Sequence, residues 1–160
     1  MKKTIAAVVC AAAAALSVQA HAEDAKVLRM ACESTYAPFV FFDSETGKLK
    51  GFEIDLLEYV AKEMGRKLEV TNMGFDAIIP SMLTGITDVG ASAFTITPER
   101  AKRVLFSKPY YISGLSILVR AEDKDKIKSV KDIENCTICA QIGTSGSMRA
   151  AKVPGAKVRN

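Results

Sequence analysis

Hydrophobic and polar residues recur with two different periods between residues 27 and 93. Val27–Cys32 is a short apolar run typical of a buried strand, and Lys67–Thr71 alternates polar with apolar residues as a half-buried strand does. Between them, Ile54–Met64 carries apolar residues three and four positions apart, which predicts a helix with one apolar face. Gly65, directly after this segment, is a residue type that readily ends a helix.

The two periods continue into a second helix over Asp76–Thr84, followed by Gly85, and a third strand over Asp88–Ala93. Helices that alternate with strands predict an α/β fold with a largely parallel sheet. In such sheets, ligands bind beyond the carboxyl ends of the strands. The loops expected to meet there are 33–39, 72–76 and 93–100.

The rest of the chain has a weaker pattern. Gly114–Arg120 predicts an extended stretch, and a charged, solvated segment follows it. We predict a short helix near Ser129–Glu134 and a strand over Cys136–Gln141. This strand leads into the loop Gly143–Ser147, which we expect to precede a further helix.

The first residues have the three parts of a secretory signal peptide. Lys2 and Lys3 are followed by an apolar run over Ile5–Leu16 and by small residues ending at Ala22. This apolar run is too short for a membrane-spanning helix, which needs about 20 residues. We therefore predict a signal peptide over residues 1–22, cleavage after Ala22, and a periplasmic mature protein.

Charge and histidine content narrow the function classes. The formal net charge is +4, but Lys2 and Lys3 leave with the signal peptide and no acidic residue does, so the mature chain is closer to neutral. It has no basic stripe, and we expect no nucleic-acid partner. The single histidine, His21, also leaves, which removes Ser-His and Cys-His pairs. We assign no catalytic residue, metal or cofactor, although a carboxylate pair for acid–base work stays open.

The mature chain keeps three cysteines, Cys32, Cys136 and Cys139. The last two have the C-x-x-C spacing of redox and metal sites. Residues three apart on a strand point to opposite faces, which is a poor geometry for a disulfide. We therefore predict that Cys136 and Cys139 are small buried residues, and the odd number of cysteines leaves at least one free thiol.

Several residues fall where a ligand is expected. Thr97 and Pro98 suit a helix start, which places Arg100 at the mouth left by the third strand. Its planar fork can grip a carboxylate, although a surface arginine paired with an acid fits equally well. Loop Gly143–Ser147 could present N–H groups and hydroxyls to an anion, or be an ordinary turn.

Three further residues lie in these loops. Tyr36 and Phe75 could flank the side chain of a ligand, or belong to the core. Glu33 directly follows the first strand, where it could meet a cation or an amide.

Together these segments resemble the family 3 bacterial solute-binding proteins, which bind polar amino acids for ABC importers. The resemblance runs from about Val27 to Ala151. The most specific segment is Gly51–Leu56 (Gly-Phe-Glu-Ile-Asp-Leu), followed by Val60, Ala61 and Met64. The other matching segments are Tyr36–Phe39, Phe75–Pro80, Thr95–Arg100, Phe106–Tyr111 and Gln141–Ser145.

The resemblance implies a periplasmic binding protein type II fold, with two lobes that each have a central sheet flanked by helices. It implies lobe 1 over residues 23–112, and the hinge crossing with the first part of lobe 2 over 113–160. The crossing itself matches Tyr110–Gly114. The family has a later lobe 2 segment with an aspartate for the ligand's ammonium group, and the chain stops before it, so we expect a truncated second lobe.

The resemblance also implies a ligand site. Arg100 would bind the α-carboxylate, helped by Thr144 and Ser145. Backbone and hydroxyl groups of Ser92, Ala93 and Thr95 would hold the α-amino group, although family members usually carry glycine or serine in place of Ala93. The remaining implied residues surround the side chain of the ligand: Tyr36, Phe75, Glu33 and Gln141.

The resulting hypothesis is a monomeric periplasmic protein that binds a polar L-amino acid, with a basic one such as arginine or lysine preferred, and delivers it to an ABC transporter permease. Glutamine is the rival ligand. Two other classes stay open. Cyclohexadienyl dehydratases are enzymes on the same fold, and membrane receptors use the fold as a ligand-sensing domain.

Overall fold

A three-stranded parallel sheet lies at the centre of the fold in the computed structural model, which describes residues 26–160. The strands, in chain order, are β1 (Val27–Cys32), β2 (Thr35–Tyr36), β3 (Val40–Phe42), β4 (Leu49–Lys50), β5 (Lys67–Asn72), β6 (Val89–Gly90), β7 (Thr137–Cys139) and β8 (Lys157–Arg159). The central sheet has the order β5-β1-β6, and its pairings are parallel. β2, β3 and β4 form a small antiparallel sheet, and β7 pairs with β8 in parallel.

Four α-helices accompany these strands within residues 26–160. They are α1 (Phe52–Glu63), α2 (Phe75–Leu83), α3 (Pro98–Ala101) and α4 (Ser145–Ala150). Two 3₁₀ turns, Ala121–Asp123 and Val130–Ile133, lie between α3 and β7. Because each crossover from β1 to β5 and from β5 to β6 contains a helix, the carboxyl ends of the three strands meet at one edge of the sheet.

The hydrophobic core lies between the central sheet and α1. Met30 and Cys32 of β1 and Val40 of β3 are fully buried. The apolar face of α1, with Ile54 and Leu57, packs in the same cluster. This burial removes the apolar stripe from water, which is the main favourable contribution to folding.

The predicted α/β fold with a parallel sheet is confirmed. β1 has the predicted bounds, while α1 begins two residues before the predicted helix and ends one residue before its predicted end. Gly65 follows α1 with φ +66°, as expected of a residue that ends a helix. Met64 does not belong to the buried face, because it caps the helix and is half exposed.

Three predicted elements are shorter than the sequence suggested. β6 covers only Val89–Gly90, because the backbone turns at Ala93 with φ +49°. β7 is likewise limited to Thr137–Cys139. The predicted helix near residue 130 is a 3₁₀ turn, stabilised by a capping box between Ser129 and Asp132.

The prediction of two buried cysteines in the C-x-x-C segment is wrong. Cys32 is buried, but Cys136 is only partly buried and Cys139 is exposed, and all three are free thiols. The physical reason lies in the sheet: β7 has β8 as its partner and alternates exposed with partly buried positions, so it is not a buried core strand.

The segment between α3 and the first 3₁₀ turn adopts neither helix nor strand, and several of its apolar side chains face solvent. Leu105, Ile112 and Leu118 are at least 94% exposed. Within the described range, no helix has both the length and the apolar character needed to cross a bilayer. The predicted signal peptide, residues 1–22, lies outside the described residues.

Candidate functional site

A cleft of about 850 Å³ opens at the carboxyl edge of the central sheet, within the size range of small-molecule sites. One wall follows β6 and α3, and the other is formed by the loop after β7 and the start of α4. Every residue that the resemblance assigns to ligand binding lines this cleft, with the exception of Glu33. The lining residues concerned are Tyr36, Phe75, Ser92, Ala93, Thr95, Arg100, Gln141, Thr144 and Ser145.

Arg100 is held rigidly at the junction of the two walls. Thr97 caps α3 by accepting a hydrogen bond from the Arg100 backbone N–H at 3.2 Å, as its position before Pro98 predicted. Arg100 as a whole residue is 6% exposed. Its Nη1 donates to the carbonyl of Thr95 and its Nη2 to the carbonyl of Gly143, each at 2.8 Å.

Two stacked rings contact this guanidinium. Phe75 and Phe94 have centroids 4.4 Å apart and planes inclined by 22°. The Cζ of Arg100 lies 5.4 Å from the first centroid and 5.0 Å from the second, within the range of cation–π attraction. Phe75 therefore supports Arg100 as well as lining the cleft. Phe94 was not singled out from the sequence, although it lies in the predicted loop 93–100.

No carboxylate within residues 26–160 forms an ion pair with Arg100. Burial lowers the pKa of its guanidinium, but arginine remains charged in proteins. The guanidinium has five N–H donors, and backbone carbonyls are the partners described for it. Its Nε has no described partner, and because no fully buried side-chain nitrogen or oxygen of the described residues lacks one, this atom keeps some contact with solvent. The cleft thus contains a largely buried positive charge that no carboxylate of the described residues neutralises.

Glu33 and Gln141 contact each other beside the cleft. The Gln141 Nε2 lies 2.6 Å from both carboxylate oxygens of Glu33. Glu33 follows β1 and Gln141 follows β7, so this contact joins residues 108 positions apart. The carboxylate is therefore a polar group of the site through its contact with Gln141, even though it does not line the cleft directly.

Some of the hydroxyls assigned to the ligand are already bonded within the protein. The Ser92 Oγ accepts from the Glu33 N–H and donates to the Glu33 carbonyl, both at 3.2 Å. The Thr144 Oγ1 donates to the carbonyl of Gln141 at 2.7 Å and caps α4 by accepting from Ser147 at 3.1 Å. These two hydroxyls therefore shape the walls of the cleft, and the expectation that they contact the ligand stays a prediction.

The two remaining hydroxyls bridge the walls. The Oγ1 of Thr95 and the Oγ of Ser145 lie 3.1 Å apart, and either can be the donor. Close packing supports this bridge, because a Cβ added to Gly143 would lie 3.0 Å from the Cβ of Asp76. The loop after β7 thus approaches the start of α2 as closely as a residue without a side chain allows.

Ala93 depends on Glu53, a residue that the sequence analysis placed only in the matching motif. The N–H of Ala93 lies 3.0 Å from both carboxylate oxygens of Glu53, which is fully buried. This N–H is therefore not available to a ligand. The apolar periodicity of α1 does not show that the acid at its second position is buried. The sequence therefore carries no signal for the role of Glu53.

Tyrosines complete the rim of the cleft. Tyr36, Tyr110 and Tyr111 line it. Tyr111 packs edge-on against Phe39 with centroids 5.0 Å apart, and Tyr110 contacts Phe52 at 5.7 Å. Within residues 26–160, His, Cys, Asp and Glu side chains do not gather in groups of three or more that could hold a metal ion.

Comparisons with known proteins find matches along most of the described part of the chain. The family model for bacterial extracellular solute-binding proteins, family 3, matches residues 28–154. A probable amino-acid ABC transporter-binding protein from Haemophilus influenzae is 36% identical over 136 residues, covering 85% of this chain and 52% of that protein. The chain spans about half the length of the curated relatives it matches.

Two solved structures share the fold with substantial sequence identity. An ancestral amino acid-binding protein, described as a precursor of cyclohexadienyl dehydratase, is 43% identical with a TM-score of 0.76, covering 84% of this chain and 60% of that one. An ancestral arginine-binding protein bound to arginine is 40% identical, with a TM-score of 0.76 and the same coverage of 84% and 60%.

Proposed function

The chain belongs to family 3 of the bacterial extracellular solute-binding proteins, and we propose that it binds a free amino acid in the cleft described above. The family's description places its members outside the cytoplasm. Export through residues 1–22, with cleavage after Ala22, is part of the proposal, as is delivery of the ligand by a monomeric protein to the permease of an ABC importer. The two lobes would be residues 23–112 and 113–160.

The observation that carries this proposal is the buried guanidinium of Arg100, which lacks a carboxylate partner among the described residues. A desolvated charge is costly unless it is paired. The α-carboxylate of an amino acid would supply that partner, and the planar fork of arginine fits it with two parallel hydrogen bonds. Thr144 and Ser145 follow Gly143, whose carbonyl accepts from Arg100, and we propose that they share the carboxylate with it.

The α-ammonium group would meet backbone carbonyls. The Ser92 hydroxyl and the Ala93 N–H are already bonded, and an N–H cannot accept from an ammonium group in any case. We therefore infer that the carbonyl groups of Ser92 and Ala93 hold the ammonium. A backbone carbonyl is present whatever the side chain, so alanine in place of glycine or serine does not remove this contact.

The groups that would surround the side chain of the ligand determine which amino acid fits. Tyr36 and Phe75 offer aromatic faces, and Glu33 supplies a carboxylate that Gln141 already binds. A guanidinium or ammonium tip would replace the neutral Gln141 amide on this carboxylate, and hydrogen bonds between charged partners are roughly twice as strong as neutral ones. The arrangement supports a cationic ligand, with glutamine as the rival.

A thermal-shift screen of the twenty amino acids against the full-length protein tests this preference. We expect arginine or lysine to raise the Tm most. The Glu33→Gln variant should bind the cationic ligand roughly tenfold or more weakly, because a hydrogen bond to a charged group contributes about 1.5–3 kcal/mol. Glu45→Gln, an exposed acid in the turn between β3 and β4, is the matched control and should change nothing.

Stabilisation by glutamine alone, with no response to arginine, lysine or histidine, would refute the cationic preference while leaving amino-acid binding intact. The relatives named above are binding proteins, and one of them is described as a precursor of an enzyme. Neither the dehydratase-like nor the receptor-sensor alternative is supported by a contact described here.

A further inference from the structure

Glu53 is a buried acid that the proposed ligand site does not use directly. It is the second residue of α1 and is fully buried, and it does not line the cleft. Both of its carboxylate oxygens accept from the Ala93 N–H at 3.0 Å, and Oε1 also accepts from the Tyr110 hydroxyl. Within residues 26–160 it forms no ion pair.

The first partner of Glu53 is the turn that shapes one wall of the cleft. Ala93 has φ +49°, a conformation that few residues other than glycine adopt. The next two residues support Arg100: Phe94 stacks beneath its guanidinium, and the Thr95 carbonyl accepts from Nη1. By holding the Ala93 N–H, the Glu53 carboxylate therefore fixes the positions of the Phe94 ring and the Thr95 carbonyl.

The second partner is the segment that leaves the central sheet domain after α3. Tyr110 lines the cleft, and its ring contacts Phe52, the residue before Glu53. Its hydroxyl donates to Oε1 of Glu53, which also accepts from the Ala93 N–H. One buried charge thus joins the start of α1, the wall of the cleft and the beginning of the segment that leads to β7.

We propose that Glu53 is a positioning residue for ligand binding: its carboxylate fixes the turn at Ala93 and anchors Tyr110, so that Arg100 and the crossing segment keep the geometry that the ligand needs. This inference rests on the proposed function. It concerns a residue without ligand contact, whose effect on affinity is transmitted through two hydrogen bonds.

The charge of this carboxylate gives the proposal a distinctive pH dependence. Burial raises the pKa of Glu53, and the hydrogen bonds from Tyr110 and Ala93 oppose that rise. The titratable groups around it are Tyr110 and, on β1, the Cys32 thiol, whose pKa burial and the charge of Glu53 raise to about 11. Tyr110 and Cys32 are already uncharged at neutral pH, because their pKa values are raised. Lowering the pH therefore neutralises Glu53 alone among these groups, which weakens both of its hydrogen bonds.

Calorimetry on the full-length protein with its preferred amino acid tests the proposal. We expect Glu53→Gln to bind about tenfold more weakly, which corresponds to about 1.4 kcal/mol. Tyr110→Phe keeps the ring and should show a smaller loss. The double variant should bind no more weakly than Glu53→Gln alone, because both changes break the same link. Glu58→Gln, an exposed acid on α1, is the control and should bind like the wild type.

The pH profile separates positioning from a merely structural role. Wild-type affinity should fall as the pH is lowered through the pKa of Glu53, and the profile of Glu53→Gln should lack that fall. All other ionisable groups are common to the two proteins, so the difference between the profiles isolates Glu53. A folded Glu53→Gln protein with a lower Tm but unchanged affinity and pH profile would overturn the proposal.

Three further outcomes are distinguishable. If circular dichroism shows that Glu53→Gln does not fold, Tyr110→Phe is tested instead. An unchanged affinity of Tyr110→Phe would overturn the proposed role of the hydrogen bond between Glu53 and Tyr110. Absence of binding by the wild type to any amino acid would overturn the proposed function, and this inference with it. If the wild type binds an amino acid and Glu53→Gln binds it with the same affinity, the role of Glu53 is overturned and the proposed function is not.

Discussion

Replacing Arg100 with alanine is expected to weaken the binding of a free amino acid by roughly 30-fold or more, because removing one partner of a desolvated charge pair costs on the order of 2–5 kcal/mol. Arg100→Lys should not restore affinity. The native guanidinium bonds the carbonyls of Thr95 and Gly143 at the same time, and a single ammonium group lacks the fork that reaches both while holding a carboxylate.

Calorimetry with paired ligands makes this prediction specific. The wild type should bind an amino acid far more tightly than its methyl ester, which lacks the carboxylate charge, whereas Arg100→Ala should discriminate little between them. Arg103→Ala, an exposed arginine in the turn after α3, is the control and should bind like the wild type. A dissociation constant of Arg100→Ala equal to that of the wild type would contradict the assignment of the carboxylate site.

The second large effect concerns the stability of the fold, at Gly51. This glycine precedes α1 with φ +132°, a conformation that disfavours residues with a side chain. An added Cβ would press on the carbonyl of Phe39 and lie 2.9 Å from the carbonyl oxygen of Pro38. These two carbonyls accept from the N–H groups of Glu53 and Phe52, so they cannot withdraw without breaking the start of α1.

We expect Gly51→Ala to lower the free energy of unfolding by about 1–3 kcal/mol through backbone strain and by about 1–3 kcal/mol more through overpacking. This is a large part of the roughly 5–15 kcal/mol that stabilises a domain. Gly47→Ala is the matched control. Gly47 also has positive φ, at +65°, but an added Cβ would meet nothing within 4 Å, so it should lose only the backbone part. Urea denaturation that gives equal losses for both variants would contradict the steric argument.

The parts of the fold that could be predicted are determined by residues close together in sequence. Gly65 ends α1, and Thr97 with Pro98 begins α3, through geometry that involves only a few consecutive positions. The buried run of β1 was likewise recognisable because a parallel central strand is apolar on both faces. These local signals place Arg100 at the carboxyl edge of the sheet, where the structure has it.

The parts that were missed depend on residues far apart in sequence. Glu53 bonds to Ala93, which lies 40 positions away in sequence. The apolar pattern of α1 does not predict that this acid is buried. β6 covers only Val89–Gly90 and the backbone has positive φ at Ala93, although Val89–Ala93 is a continuous run of apolar and small residues. The exposure of Cys139 was also unpredictable locally, since it follows from β7 having only β8 as a described neighbour.

The tyrosines at the rim of the cleft also allow ligand binding to be followed by intrinsic fluorescence. The chain contains four tyrosines and no tryptophan, so its ultraviolet emission comes from tyrosine alone. Tyr36, Tyr110 and Tyr111 line the cleft, while Tyr59 is 63% exposed on α1 and serves as a constant background. Occupation of the cleft should therefore change the intrinsic fluorescence directly, which allows stopped-flow measurements of association without an attached dye.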